Sequence, residues 1–258
     1  MSRTYLDAIL AHHRRAAEGD DRPLAPMVEA AGRLAAARGF RRSLADHDGL
    51  GVVAEVKRRS PSKGDLAPDL DPAELAGRYE RGGASCVSVL TDEAHFGGSV
   101  DDLRRARAAI SLPVLRKDFT VGERDVVDAR TMGADCVLLI VAALDDVELG
   151  ACHRMADEVG LDALVEIHDE RELERALAVG ATLIGVNQRD LVTFEVDHER
   201  AVRVASQMPD DVVRVAESGV RDGDDARALA AAGYHAVLVG ETLVRSGDPE
   251  ATLADLLA

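Results

Sequence analysis

Only three lysines, Lys57, Lys63 and Lys117, occur in this chain of 258 residues, against 28 arginines. Lys57 and Lys117 each follow a short, mostly apolar run, at 52–56 and at 113–115. An ammonium group can lose its proton at accessible pH, whereas a guanidinium group cannot. Lysines kept at the ends of such runs can therefore act as a general acid or as a Schiff-base amine, and they predict an active site.

Other polar side chains end similar apolar runs elsewhere in the chain. Because an unpaired charge is costly to bury, each of them needs a partner or water. One such residue alone is equally consistent with a structural ion pair at the rim of a fold. Several that converge favour a catalytic pocket. The set comprises Glu55, Lys57, Lys117, Glu166, Asn187 and Glu217.

The elements that must position these residues alternate regularly from about residue 50. Short β-branched runs predict strands near 51–57, 86–90, 113–117, 136–141, 162–167, 182–187, 212–217 and 235–239. Ala-, Arg- and Glu-rich stretches between them predict helices. Such continuously apolar strands are typical of a parallel sheet covered by helices. A doubly wound open sheet could use this alternation, but the even spacing and the absence of GxGxxG favour an α/β fold closed as a (β/α)8 TIM barrel.

We expect a single barrel domain over residues 1–258, of which residues 1–50 form an N-terminal helical extension. Leu6, Ile9 and Leu10, followed by the Ala-rich stretch 28–38, predict one or two helices there. The sequence does not indicate which end of the barrel this extension covers. The chemistry of such barrels lies at the carboxyl ends of the strands, so the polar residues above are expected to meet at that end.

Small residues after the last two predicted strands predict a phosphate site. Ser218 and Gly219 follow the seventh strand, and Gly240 and Glu241 follow the eighth. Backbone N–H groups can approach an anion closely at such positions, and these two loops commonly bind phosphate in barrels of this kind. An ordinary turn between strand and helix is the alternative interpretation.

Two aromatic residues lie in loops beside the predicted site. Phe96 and Phe119 belong to a chain whose aromatic content is only 3%. They could anchor loops against the rim of the barrel, or they could form an apolar wall for an aromatic substrate.

Composition limits the partners and the location of the protein. The net charge of −16 argues against binding to nucleic acid or to anionic membranes, because both require basic patches. Cys86, Cys136 and Cys152 show no disulfide or metal-ligand spacing and are expected to be free thiols in a reducing compartment. With no apolar stretch of membrane-spanning length and no signal-peptide pattern at the start, we expect a cytoplasmic protein.

The histidines do not form a metal-binding pattern in the sequence. His168 is expected at a helix start or at the barrel rim, and His95 could border the pocket. Since no second His or Cys stands at ligand spacing from either residue, we expect no metal.

The strand-end motifs, taken in order, resemble those of the indole-3-glycerol-phosphate synthase family. The stretch 55–64 reads EVKRRSPSKG, where the family shows E-x-K-x-x-S-P-S-x-G. The match continues with LRKDF at 115–119, LVEIH at 164–168, IGVNQRDL at 184–191 and ESG at 217–219. The resemblance spans about residues 50–257, and Gln188 stands where the family often has asparagine.

This resemblance implies a lyase of tryptophan biosynthesis that acts without a cofactor, as a monomer or weak oligomer. The implied reaction closes 1-(2-carboxyphenylamino)-1-deoxyribulose 5-phosphate into indole-3-glycerol phosphate, with loss of carbon dioxide and water. The implied general acid is Lys117, and Glu166 is the implied base or proton relay. Lys57, paired with Glu55, is implied to place positive charge where negative charge develops on the substrate. Phe96 and Phe119 are implied to flank the aromatic ring. The residues implied to hold the rest of the substrate are Asn187, Arg189, Ser60 and Glu217, and those implied to hold the phosphate are Ser218, Gly219, Gly240 and Glu241.

Three other functions use the same sequence features. A Schiff-base aldolase would use Lys117 as its nucleophile. A sugar-phosphate isomerase needs an acid and a base, but it would leave Arg189 and the two phenylalanines without a purpose. A barrel retained as a binding or scaffold protein would have no use for so many ionisable strand ends.

Overall fold

A computed structural model describes residues 5–61, 63–190, 192 and 194–258. In these residues, parallel strands form a closed barrel in which each strand pairs with its neighbours in sequence and the last pairs with the first. The predicted TIM barrel is therefore confirmed, and the open-sheet alternative is wrong. The strands are β1 Gly51–Val56, β2 Cys86–Leu90, β3 Val114–Lys117, β4 Cys136–Ile140, β5 Asp162–Ile167, β6 Leu183–Asn187, β7 Val213–Glu217 and β8 Ala236–Val239.

Helices follow the strands and cover the outside of the barrel. They are α4 Pro72–Arg81, α5 Glu93–Phe96, α6 Val100–Ala109, α7 Glu123–Met132, α8 Asp146–Val159, α9 Glu170–Ala178, α10 His198–Ala205, α11 Gly223–Ala231, α12 Glu241–Arg245 and α13 Pro249–Leu256. Many begin where an Asp or Ser side chain accepts hydrogen bonds from the first free backbone N–H groups, as Asp145 does for α8. A two-stranded hairpin, Arg59–Ser60 with Gly64–Asp65, follows β1. No described helix combines the length and apolarity needed to cross a membrane.

The two faces of each strand carry different residues, because successive side chains point to opposite sides. Outward residues such as Val52, Val137 and Ile184 pack against the helices. Inward residues such as Val53 and Leu164 form a second core inside the barrel. A strand buried on both faces is mostly apolar, which explains the long apolar runs in the sequence.

Residues 5–50, the described part of the N-terminal extension, contain three helices, so the prediction of one or two was wrong. These helices are α1 Tyr5–Glu18, α2 Leu24–Gly32 and α3 Phe40–Ala45. The Ala-rich stretch 28–38 is not one helix: α2 ends at Gly32, and α3 begins after Gly39, whose φ of 77° is the left-handed conformation that glycine favours. Ala content alone does not reveal where this stretch leaves the helical conformation.

The extension reaches both ends of the barrel. Phe40 and Leu44 of α3 are fully buried against the inward residues at the start of the strands, among them Cys86 and Val213, so α3 plugs the amino-terminal end. At the opposite end, Arg14 of α1 binds both carboxylate oxygens of Glu148 at 2.6 and 2.9 Å.

Phe40→Ala tests the plug. Removing a fully buried Phe side chain leaves a cavity and is expected to lower the free energy of unfolding by about 3–5 kcal/mol. Urea denaturation followed by circular dichroism measures this change. Leu34→Ala is the matched control, since Leu34 belongs to the same extension but is 43% exposed. Equal stability of the two variants would show that α3 does not plug the barrel.

Candidate active site

A cavity of about 540 Å³ opens at the carboxyl ends of the strands, within the usual range for small-molecule sites. The structure brings all of the predicted site residues to its lining, although they come from loops and strands all around the barrel. They are Glu55, Lys57, Ser60, Phe96, Lys117, Phe119, Glu166, Asn187, Arg189, Glu217, Ser218, Gly219, Gly240 and Glu241.

The alternation of side chains explains why the ionisable residues face inward. On β5, Leu164 belongs to the inner core, and Glu166 lies two positions further along on the same face. Leu115 precedes Lys117 in the same way on β3, and Val215 precedes Glu217 on β7. The inner face thus changes from apolar to charged along each of these three strands.

Lys117 is the centre of the charged group at the base of the cavity. Its Nζ lies 3.0 Å from Glu166 Oε2 and 3.3 Å from Glu217 Oε2. The other oxygen of Glu166 accepts a hydrogen bond of 3.1 Å from Asn187 Nδ2. Beside this group, Lys57 Nζ lies 2.6 Å from Glu55 Oε2. The geometry therefore provides two ammonium groups that each have carboxylate partners.

Burial and proximity set the protonation states of this group. Burial alone would lower the pKa of Lys117, but the carboxylates of Glu166 and Glu217 raise that pKa well above its ordinary value. Burial alone would raise the pKa of Glu166, but the Lys117 ammonium lowers it to about 2. For Glu217, burial and the Glu166 charge together outweigh Lys117 and raise the pKa to about 8. The shared ammonium group therefore favours the ionised form of Glu166, while burial and the neighbouring Glu166 charge favour the neutral form of Glu217.

Two glycines provide the space that the carboxyl groups occupy. A Cβ atom at Gly185, on β6, would overlap Glu217 Oε1. A Cβ at Gly240 would overlap Glu55 Oε2 and lie 2.9 Å from Lys57 Nζ. Gly240, which was predicted from its position to bind phosphate, therefore also makes room for the Glu55–Lys57 pair.

The predicted phosphate end of the cavity combines a strained turn with basic residues. Ser218 and Gly219 have φ angles of 64° and 79°, so two consecutive residues adopt the left-handed conformation, which is rare for serine. Arg221 and Arg245 also line the cavity here, yet no apolar run precedes them and the sequence analysis missed them. Glu241 pairs with Arg245 at 3.6 Å. A bound phosphate would find cations in this region.

The predicted aromatic end contains three phenylalanines, one more than expected. The ring centroids of Phe96 and Phe119 lie 6.4 Å apart. Phe194, which the sequence analysis missed, also lines the cavity and has a φ of 62°. Its carbonyl oxygen accepts a hydrogen bond of 3.0 Å from Arg189 Nη1. Flat apolar surface and a guanidinium group thus occur together, as an aromatic carboxylate would require.

His95 lies outside the cavity lining and belongs to a separate cluster. Asp92 Oδ2 lies 2.9 Å from both His95 Nδ1 and His13 Nε2. These three residues are close enough to bind a metal ion together, which the sequence could not indicate because His13 precedes Asp92 by 79 residues. The absence of a bound metal stays a prediction.

The substitution Gly185→Ala tests whether this glycine exists to accommodate Glu217. Overpacking a buried site is expected to lower the free energy of unfolding by about 1–3 kcal/mol. Gly122→Ala is the control, since a Cβ there meets nothing within 4 Å and φ is −170°. In a Glu217→Ala background the cost of Gly185→Ala should largely disappear, as a double-mutant cycle in urea would show. If Gly185→Ala costs as much free energy in the Glu217→Ala background as in the wild type, the added methyl group does not clash with Glu217.

Comparison with known proteins agrees with this geometry. Residues 6–256 match the family model described as indole-3-glycerol phosphate synthase. An indole-3-glycerol phosphate synthase of Mycobacterium ulcerans is 56% identical over 209 residues, which cover 81% of this chain and 77% of that protein. A protein of the same name from a Nocardioides species is 58% identical over 202 residues, which cover 78% of each.

Solved structures with low sequence identity share the fold alone. A thiamine phosphate pyrophosphorylase from Pyrococcus furiosus superposes with a TM-score of 0.60 at 17% identity, covering 84% of this chain and 95% of that one. A 3-hexulose-6-phosphate synthase superposes with a TM-score of 0.63 at 16% identity, covering 81% of this chain and 98% of that one. The family model and the relatives above 50% identity carry more information, and they show that this chain belongs to the indole-3-glycerol phosphate synthase family.

Proposed function

We propose that this protein is a carboxy-lyase that closes 1-(2-carboxyphenylamino)-1-deoxyribulose 5-phosphate into indole-3-glycerol phosphate, in the biosynthesis of tryptophan. The observation that carries the proposal is the Lys117 ammonium group, held between Glu166 and Glu217 at the base of a cavity with an aromatic wall and a basic end. A phosphorylated aromatic substrate needs all three features.

Lys117 acts as the general acid. The aryl carbon attacks the ketone, and the developing alkoxide takes a proton from an ammonium group that its neighbours keep protonated. The raised pKa of Lys117 also argues against a Schiff-base aldolase, since a nucleophilic amine must be neutral.

Glu166 acts as the general base in the steps that follow. Loss of carbon dioxide restores the aromatic ring, and loss of the former ketone oxygen as water requires one proton to be supplied and another to be removed. Glu166 is ionised at neutral pH and can accept that proton. Asn187 holds one of its oxygens in place at 3.1 Å.

The remaining residues bind the substrate. Lys57, with Glu55, balances negative charge on the substrate. Arg189, Ser60 and Glu217 face its carboxylate and sugar hydroxyl groups. The aromatic ring lies against Phe96 and Phe119, and the phosphate lies at the end formed by Ser218, Gly219, Gly240 and Glu241. A sugar-phosphate isomerase would have no need for the aromatic wall.

We also infer that the chain functions as a single domain, as a monomer or weak oligomer in the cytoplasm, without nucleic acid, metal or cofactor. The acidic net charge supports the inference about nucleic acid.

Product fluorescence tests the proposed activity directly. The chain contains no tryptophan, so indole emission after addition of the carboxyphenylamino-deoxyribulose phosphate should rise over a low protein background. A protein that binds this substrate but releases no indole product would contradict the proposal.

Lys117→Ala is expected to lower kcat at least about a hundredfold, because the general acid is lost. Lys117→Arg should be similarly impaired, since guanidinium keeps the positive charge but does not release a proton. Arg33→Ala, on the exposed surface, is the control. Near-normal turnover by Lys117→Ala would show that Lys117 is not the general acid. Covalent trapping of the substrate on Lys117 by borohydride would favour a Schiff-base aldolase instead.

Glu166→Gln is expected to lower kcat strongly while binding of the substrate stays within a few fold. The amide preserves the shape of the side chain but cannot accept the proton. Isothermal titration with a non-reactive reduced substrate analogue measures binding separately from turnover. Equal losses in binding and turnover would assign Glu166 to substrate positioning instead.

A further inference from the structure

His168 links the buried base to the protein surface. It follows β5 and precedes Asp169, the N-cap of α9. Its Nδ1 lies 3.0 Å from Glu172 Oε2, and its backbone N–H donates to the same oxygen at 2.7 Å. These two contacts fix the orientation of the imidazole ring.

The other ring nitrogen faces the active site. His168 Nε2 is buried, has no hydrogen-bond partner among the described residues and lies 3.6 Å from Glu166 Oε1. A shift of a few tenths of an ångström would bring the two atoms into hydrogen-bond range. Exposure of the side chains increases outward, from 1% at Glu166 to 12% at His168 and 17% at Glu172. The three residues therefore form a row from the cavity base towards solvent.

The proposed reaction requires such a connection because its protons do not balance inside the site. Protonation of the ketone and departure of water consume two protons, and formation of the indole returns one. With the substrate carboxylate ionised, each turnover therefore consumes one proton from solvent. A substrate bound in the mouth of the cavity would lie between the solvent and the side chains of Lys117 and Glu166, which are 15% and 1% exposed.

We propose that Glu172 and His168 form a proton relay that supplies Glu166 and Lys117 from behind the bound substrate. A proton taken up by Glu172 Oε2 passes to His168 Nδ1, while His168 Nε2 releases its proton to Glu166 Oε1. Exchange of the ring proton with solvent between turnovers returns the imidazole to its starting tautomer. Glu166 then returns the proton to Lys117 Nζ, which lies 3.0 Å from its other oxygen. No bond other than those to hydrogen is made or broken. This inference rests on the proposed function.

The charges around His168 suit a relay. Glu172 on α9, Glu166 on β5 and Glu217 on β7 act on the ring, and Lys117 lies beyond Glu166. Burial alone would lower the pKa of His168, but Glu172 and Glu166 raise it above its ordinary value of 6.5. Imidazole is the side chain whose ordinary pKa already lies in the physiological range, so it can both accept and release a proton there.

Chemical rescue tests the relay. His168→Ala should lower kcat at least about tenfold with KM unchanged within twofold, and added imidazole should restore kcat in a saturable way. Pyrazole fills the same space but is a far weaker base, so it should not restore activity. The matched control is His153→Ala: His153 is 14% exposed and faces Asp157 four residues later, as His168 faces Glu172, but its ion pair is with Asp157 on the same helix and not with an active-site carboxylate.

The outcomes separate a relay from a structural role. Wild-type kcat in His168→Ala would overturn the proposal, and so would a loss that pyrazole repairs as well as imidazole or that neither repairs. If His168→Ala does not fold, Glu172→Gln tests the relay instead. Its amide oxygen can still accept a hydrogen bond from Nδ1–H, but the amide cannot take up a proton and pass it on. Wild-type kcat in this variant would exclude the route. Wild-type protein that forms no indole product would instead contradict the proposed function.

Discussion

The rest of the structure must support one contact: the Lys117 ammonium group lies against the carboxyl groups of Glu166 and Glu217. Such charges are expensive to bury, and they are tolerated only because each has a partner at close range. Keeping that geometry requires rigid support on every side, which the ends of three barrel strands provide. The two carboxyl groups share one ammonium partner, and the repulsion between them raises the pKa of Glu217.

The barrel provides this support because successive side chains along each strand alternate between its inner and outer faces. On β1, β3, β5 and β7, inward positions carry apolar side chains towards the amino-terminal end and ionisable ones at the carboxyl end, so the same face provides both a core and a site. Gly185 and Gly240 leave the inner face locally empty, and carboxyl groups from neighbouring strands fill that space. Stability and chemistry thus depend on the same few positions, and the apolar core below holds the charged layer in place.

The sequence predicted the barrel and much of its lining because both follow local rules. A run buried on both faces is apolar, and a charge at its end stands out, as Lys117 and Glu166 do. Arg221, Arg245 and Phe194 were missed because no such run precedes them, and the cavity reaches them only through the folded loops. The partnership of His168 with Glu166 depends on a ring orientation that Glu172 fixes, which spacing along the chain does not reveal.

The position of Phe40 has a consequence for how the chain reaches its native state. Translation produces this residue before any strand of the barrel, yet its binding place is formed by strands as late as β7 and β8, through Val213 and Ala236. Complete burial of the Phe40 ring therefore requires strands that leave the ribosome near the end of synthesis, so the first helices finish packing only when the last strands are in place.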